Sequence, residues 1–310
     1  MRSRFPALSA TALALGLLGT PGASPALADA AHGNAAAVTT TPAKGSAISL
    51  TAVLTGKQEV SDAHGAAAGD HDGKAIALVT IKGGRITFAL KWKGIGAPAA
   101  AHIHLGAAGQ NGDVKVPLIE SAIPRTVRAA AGQVTVESAK LARAISAQPQ
   151  GFYVNVHTDE FPDGAVRGQL KPLSKPVNPL GIIQAGKLRA LASGFQEVTD
   201  DGGLLAGDLD GFGISFVQPR HDTVHYSLAW LNIGSPVAAH VHEGKVGANG
   251  DVRFPLFTEP VPKNIFAISG VVSKLDPAGL KHIAANSANF YFNLHNKKFP
   301  DGAIRGQLSH

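Results

Sequence analysis

The 310-residue chain contains no cysteine. That excludes disulfides, thiolate metal ligands and an N-terminal cysteine lipid anchor, and it leaves each folded unit to be held by its own core. There is no run of lysine and arginine and no stripe of basic residues interleaved with aromatics, so no nucleic-acid partner is expected. After residue 28 no segment offers the ~20 unbroken apolar residues of a spanning helix, so the mature chain is expected to be soluble, without a membrane span. No Ser/His/Asp or Cys/His nucleophile set stands out, and no glycine loop suited to cradling phosphate.

What is present begins with an export signal. Arg2 and Arg4 precede an apolar core over 10–18, and Ala26-Leu27-Ala28 is a small-x-small cleavage site. Cleavage before Asp29 removes two of 28 basic residues and none of 22 acidic ones, leaving a net charge of +4. This mild excess is compatible with anionic small substrates or envelope polymers and specifies neither. The expected location is secreted, or periplasmic and cell envelope. Residues 29–46, rich in Ala and Thr, read as a flexible lead-in.

The remainder is written twice at an offset of 138 residues. Gly56, Gln58, Glu59 and Val60 match Gly194, Gln196, Glu197 and Val198; Trp92 matches Trp230. Asn111-Gly112-Asp113-Val114 matches Asn249-Gly250-Asp251-Val252, and Phe161-Pro162-Asp163-Gly164 matches Phe299-Pro300-Asp301-Gly302. Arg167-Gly168-Gln169-Leu170 matches Arg305-Gly306-Gln307-Leu308. A repeat this long is a duplicated domain. The first copy is placed at 47–173 and the second at 186–310, with a Pro-containing linker at 174–185.

Short β-branched or aromatic segments punctuated by Gly, Pro, Asn or Asp predict strands at 48–56, 75–81, 85–93, 99–105, 133–136, 152–157 and 165–170. Lys82-Gly83-Gly84-Arg85 is a tight hairpin turn. Helical apolar spacing predicts one short helix per copy, at 138–147 and 276–285, the second capped by Asp276-Pro277. The fold class is all-β: two tandem Greek-key sandwich or barrel domains, each with one short helix.

Histidine carries the chemistry. Ala101-His102-Ile103-His104 is followed by Asn155-Val156-His157, and Ala239-His240-Val241-His242 by Asn293-Leu294-His295. Residues i and i+2 of a strand share a face, so His102 and His104 project together; Tyr153, Asn155 and His157 likewise share one face. If the two strands are neighbours, three imidazoles and an amide meet above one sheet. The expected metal sites are His102, His104 and His157, and His240, His242 and His295. The alternative is three histidines hydrogen-bonded at a polar sheet face. All-nitrogen coordination suits copper, with zinc as the alternative, and the lack of a retained carboxylate disfavours calcium and magnesium.

Arg167 and Arg305 follow the third histidine by ten residues and are candidates to steer an anion to an open metal position, or strand arginines paired to Asp163 or Glu59. Phe161-Pro162-Asp163-Gly164 reads as a tight turn whose Asp163 is also a candidate to orient an imidazole. Glu59 reads mainly as a partner for backbone donors or an arginine. Trp92 and Trp230 read as core anchors. His64 and His71, which copy two lacks, are candidates to deliver metal or simply lie in a solvated loop.

These residues resemble the CHRD domain family. The likeness rests on Leu-Thr-Gly-x-Gln-Glu-Val at 54–60, the Ala-His-x-His strand, the Asn-Gly-x-Val turn, Tyr-Val-Asn-Val-His at 153–157 and Gly-Ala-Val-Arg-Gly-Gln-Leu at 164–170. A weaker likeness joins His240-Val241-His242-Glu243, His295 and Arg305 to the copper half of the copper/zinc superoxide dismutases. It implies a Greek-key sandwich with a mononuclear copper site and no zinc site. The two likenesses together imply an exported copper-binding protein, with copper-only superoxide dismutation as the reaction if it turns over. The other classes are a non-catalytic envelope copper buffer or store, and an extracellular interaction module whose histidines are structural.

Overall fold

The computed structural model describes residues 46–61, 69–182, 186–199, 202–203 and 206–310. The segment read as an export signal, most of the expected lead-in and His64 lie outside the described residues. The first copy folds as β1 (Ile48–Thr55), β2 (Lys74–Lys82), β3 (Arg85–Lys93), β4 (Ala100–Leu105), β5 (Val114–Ile119), β6 (Val127–Thr135), α1 (Ala139–Ala147), β7 (Phe152–His157), β8 (Val166–Gln169) and β9 (Lys171–Pro172). The second folds as β10 (Leu188–Ser193), β11 (Phe212–Arg220), β12 (Thr223–Leu231), β13 (Pro236–Glu243), β14 (Val252–Phe257), β15 (Ile265–Val272), α2 (Pro277–Ala285), β16 (Phe290–Asn296) and β17 (Ile304–Gln307).

Alternation does most of the folding. In β2, Ala75, Ala77, Val79 and Ile81 are buried while Lys74, Ile76 and Lys82 face out. Gly83, at φ +61°, makes the turn that pairs Lys82 with Arg85. Adjacent strands run β5-β4-β7-β8-β1-β2-β3-β6, all antiparallel. The steps β4–β7, β8–β1 and β3–β6 join strands distant in sequence, which is Greek-key connectivity. Copy two repeats this order. Leu50, Leu54, Phe88, Leu90, Trp92, Ile103, Val116 and Val154 are all but closed to solvent between the two layers, each contributing roughly 1.5–3 kcal/mol by burial. Both tryptophans sit in this core.

The helices start where their caps are. The Ser138 side chain accepts from the Leu141 amide, and Asp276 accepts from Ala278 and Gly279 with Pro277 at the first helical position. Two strands per copy exceed the sequence expectation. β5 carries Pro117, which is tolerated because β5 is an edge strand paired only to β4. The first part of β6 is an alanine run with little intrinsic strand preference.

That run joins the copies. β6 pairs antiparallel with β15: Ala131 with Ala267, Ala130 with Ile268, Ala129 with Ser269, Gly132 with Ile265 and Val127 with Gly270. Every one of these pairings is matched by its 138-residue counterpart, so the seam has two-fold symmetry about Ala130 and Ile268. A continuous run of eight strands, β1-β2-β3-β6-β15-β12-β11-β10, results, continued at its ends by β8 and β17. The linker crosses its outer face: the 3-10 segment Pro179–Ile182 lays Leu180 and Ile182 against Ala89, Ala131 and Ala267.

Candidate metal centre

β4 lies between β5 and β7, and that position assembles the site. Ile103 enters the core, so His102 and His104 leave it. Antiparallel pairing sets His102 opposite Asn155, His104 opposite Tyr153 and Ala100 opposite His157. Directly opposed residues share a face, which brings the three imidazoles and the Asn155 amide together as the strand periodicity predicts. β5 carries an extra residue beside each histidine step, the first between Ala101 and His102, the second between Ile103 and His104. The same irregularities recur in β13–β14. Although the face is the outer one, loops cover it: Tyr153, Asn155 and Arg167 are buried, as is His104.

Hydrogen bonds set the tautomers. His104 Nδ1–H donates to Gly112 O at 2.9 Å and His157 Nδ1–H to Pro162 O at 2.9 Å. Both Nε2 atoms therefore keep a lone pair. His104 Nε2 is buried with no hydrogen-bond partner, and so is His242 Nε2. His102 Nδ1 lies 3.2 Å from His157 Nε2, and His240 Nδ1 lies 3.0 Å from His295 Nε2. In copy two, His242 Nδ1–H donates to Gly250 O and His295 Nδ1–H to Pro300 O, both at 2.9 Å. Ligand nitrogens of each triad lie within 4.8 Å of one another. Two nitrogens about 2.0–2.1 Å from one ion stand about 2.9–4.2 Å apart, so the closest pair already has the spacing a shared ion needs.

Burial keeps the imidazoles neutral. It pushes His102 and His240 down from 6.5 to about 4, with the neighbouring histidines adding to the effect. His104, His157, His242 and His295 are lowered chiefly by the same burial. Neutral imidazole is the ligating form, and burial favours it at all six histidines.

Arg167 and Arg305 occupy the layer behind. Each is 2% exposed. Arg167 Nη1 donates to Asn111 Oδ1 at 3.0 Å, and Nη2 to Ala107 O at 3.0 Å and Gln110 O at 2.6 Å. Its guanidinium carbon lies 3.4 Å from the Tyr153 ring centroid, while His104 stacks on Tyr153 at 4.8 Å and 13°. Two groups cannot share one ring face at those distances, so the phenol ring separates guanidinium from imidazole. Arg305, Tyr291 and His242 repeat the stack. The guanidinium thus holds the loop 106–112, whose Gly112 carbonyl orients His104.

Asn155 turns towards Glu59, with Nδ2 3.5 Å from Glu59 Oε2. Burial raises Glu59 to about 7 and Glu197 to about 8, against the opposing pull of Arg167 and Arg305. Asp163 takes no part in a hydrogen bond to the imidazole; the turn offers the Pro162 carbonyl instead, and Gly164 closes it with N–H to Phe161 O at 3.2 Å. His71 is exposed and belongs to neither triad. Glu243, which follows His242, pairs with His282 at 3.0 Å and Arg253 at 3.2 Å. Sequence reasoning passed over Tyr153 and Gly112 as site residues. Tyr153 shares the histidine face, a signal that was available; the Gly112 carbonyl leaves no side-chain trace.

No helix among the described residues is long and apolar enough to cross a membrane. No match is found among curated proteins. A family model, the CHRD domain, matches residues 50–170 and again 188–308, the two copies that carry the two histidine triads. The chain belongs to the CHRD domain family and holds two such domains in tandem.

Proposed function

We propose that this is an exported copper-binding protein that holds one ion per CHRD domain. The ligands in the first are His102 Nδ1, His104 Nε2 and His157 Nε2; in the second they are His240 Nδ1, His242 Nε2 and His295 Nε2. The carrying observation is the buried, partnerless Nε2 of His104 and of His242, each aimed among two other imidazoles. A purely structural histidine would be expected to satisfy that nitrogen, since an unpaired buried acceptor costs about 1–3 kcal/mol. Three neutral nitrogen donors without thiolate or carboxylate favour copper over zinc in the Irving–Williams order. The residue 1–28 pattern supports export.

Bound copper would supply a one-electron couple, and three protein ligands leave a position open. Superoxide dismutation is the reaction that reading invites, with Arg167 and Arg305 contributing positive potential. Binding is favoured ahead of turnover by the two arginines, whose Nη donors hold loop oxygens. Metal analysis after copper loading tests the proposal: two ions per chain are expected, and one after either His104→Ala or His242→Ala. Less than ~0.2 ion per domain, unchanged by both substitutions, would overturn it. The electron paramagnetic resonance spectrum reports nitrogen count, and zinc competition separates the two metals. Copper-loaded protein no faster than free copper in a superoxide assay assigns the protein to storage.

A further inference from the structure

Outside the triads, cationic side chains converge on a second place. A cavity of about 320 Å³ opens on the outer face of the eight-stranded run, beside the linker and over the seam between the copies. That volume lies at the lower end of the range for small-molecule sites. Lys91 and Arg128 line it from the first domain, and Arg220 and His225 from the second. Among the described residues no carboxylate lines it, and none of these four side chains is in an ion pair with one.

Strand register explains the convergence. Lys91 pairs with Ala129, Ala129 with Ser269, Ser269 with Ser227 and Ser227 with Phe216, so these five share one face. Two residues along the same strands, His225 and Gln218 share it too. Arg128 arrives by another device. It stands unpaired between the pairings Val127 with Gly270 and Ala129 with Ser269, as the extra residue of a β-bulge, and bulges re-aim side chains. Its symmetry counterpart is Phe266, bulged between Ile265 and Ala267, which packs against the linker cluster instead.

The repeat supplies an internal control. At the counterpart positions, Lys91 is replaced by Ala229, Arg128 by Phe266 and His225 by Thr87; only Arg220 keeps its charge, as Lys82. The shared fold therefore does not require this cluster. Like charges gathered without a counter-ion among the described residues repel one another, modestly at an exposed face, and an anion between them would turn that repulsion into attraction.

We propose that this inter-domain cavity binds a small dianionic oxyanion of the phosphate-monoester class, independently of the metal centres. Arg220 offers a planar donor fork and Lys91 a point charge; Arg128, whose Nη1 donates to the Arg125 and Val127 carbonyls, offers its remaining guanidinium donors. His225 is held below its ordinary range by burial and by Arg220, and an anion beside it would reverse the second effect.

The test is calorimetric titration of the purified protein at ~0.15 M salt, where loose surface attraction is screened. The probes are inorganic phosphate, glycerol 1-phosphate and the monoanionic diester dimethyl phosphate. Saturable binding below about 1 mM is expected for the first two, with a shift of the His225 ring resonances. Lys91→Ala with His225→Thr copies residues that the other domain already accommodates, and Arg128→Ala with Arg220→Ala removes the guanidinium donors. Each pair should weaken binding roughly tenfold or more while leaving copper content unchanged. The proposal is overturned by absence of saturable phosphate binding, by affinity within about twofold in both double variants, or by dimethyl phosphate binding as tightly as the monoesters. Copper content below ~0.2 ion per domain and unchanged by the histidine variants, with phosphate binding intact, strikes only the metal reading and leaves this inference standing.

Discussion

Replacing Arg167 by lysine separates two roles that sequence left open. The guanidinium makes three hydrogen bonds to loop oxygens and lies 3.4 Å from the Tyr153 centroid. Hydrogen bonds from a charged donor contribute about 1.5–3 kcal/mol each, and the cation–aromatic contact about 0.5–2 kcal/mol. Lysine keeps the charge but has no planar fork. If it retains one of the three bonds and loses the stack, the domain should be destabilised by about 3.5–8 kcal/mol. At roughly 2–4 °C per kcal/mol for a unit of this size, the melting temperature should fall by at least about 7 °C.

The same substitution has a second readout at site one. Loop 106–112 carries the Gly112 carbonyl that fixes the His104 tautomer. Loosening an orienting partner of this kind typically lowers metal affinity about 10–100-fold. Differential scanning fluorimetry of the metal-free protein gives the first number, and copper competition with a chelator the second. Site two should be unaffected. A melting temperature within about 2 °C of the parent, with copper affinity intact and superoxide turnover sharply reduced, would refute the loop-clamp reasoning. Arg167 would then be an anion-facing group.

Gly112→Ala should abolish copper at site one while site two still loads, because an added Cβ would stand 1.7 Å from Leu105 O; metal equivalents per chain should read one. For the metal-free protein, His102 and His240 have folded pKa values near 4 against 6.5 unfolded, so the unfolded chain takes up protons first. Their contribution is present above about pH 6.5 and is lost as pH falls through 4, and urea midpoints should drop over that window. Glu59 has the opposite sign: its folded value near 7 gives a contribution complete below 4.5 and lost as pH rises through 7. Glu59→Gln should therefore stabilise the protein by about 1–3 kcal/mol at pH ~8.5 and by little at pH ~4.5, checked by urea denaturation at both. Ala131→Leu should pry open the β6–β15 seam, where Ala131 and Ala267 are fully buried against each other, and split one calorimetric transition into two.

Much of the site was legible because a strand has a period of two. Once His102 and His104 were assigned to one strand and His157 to another, their shared face followed, and one adjacency completed the triad. The fold class followed from the same alternation, as in β2, and from turns such as Lys82–Arg85. What escaped reading depends on partners distant in sequence. β5 was missed because Pro117 argues against a strand unless the segment is known to be an edge. The first part of β6 was missed because alanine has little intrinsic strand preference, and the pairing with β15 that holds it extended is a tertiary demand. The carbonyls of Gly112 and Pro162, which orient His104 and His157, leave no side-chain signal. Arginine position was legible and its engagement was not: ten residues after the histidine fits both an anion-facing and a loop-holding group.

Repetition alone does not mark function here, and contacts show why. Gln58 and Gln196 are retained, yet their amides serve local backbone: Gln58 Nε2 donates to Val53 O, and Gln196 Nε2 to Leu191 O. Gln169 and Gln307 each tie three carbonyls where the loop after β4 or β13 meets the segment before β7 or β16. These residues build the unit. The histidine triads and the adjoining Glu59–Asn155 and Glu197–Asn293 pairs differ: each leaves a buried nitrogen or oxygen without a partner, a cost that building the unit does not require. Divergence is informative in the same way. Lys91, Arg128 and His225 are residues the unit folds without, since the other copy lacks them, yet the two-fold seam brings them to one cavity. Retained residues that satisfy their neighbours point to folding, retained residues that do not point to the metal, and unshared residues that converge point to a ligand that only the joined pair of domains can hold.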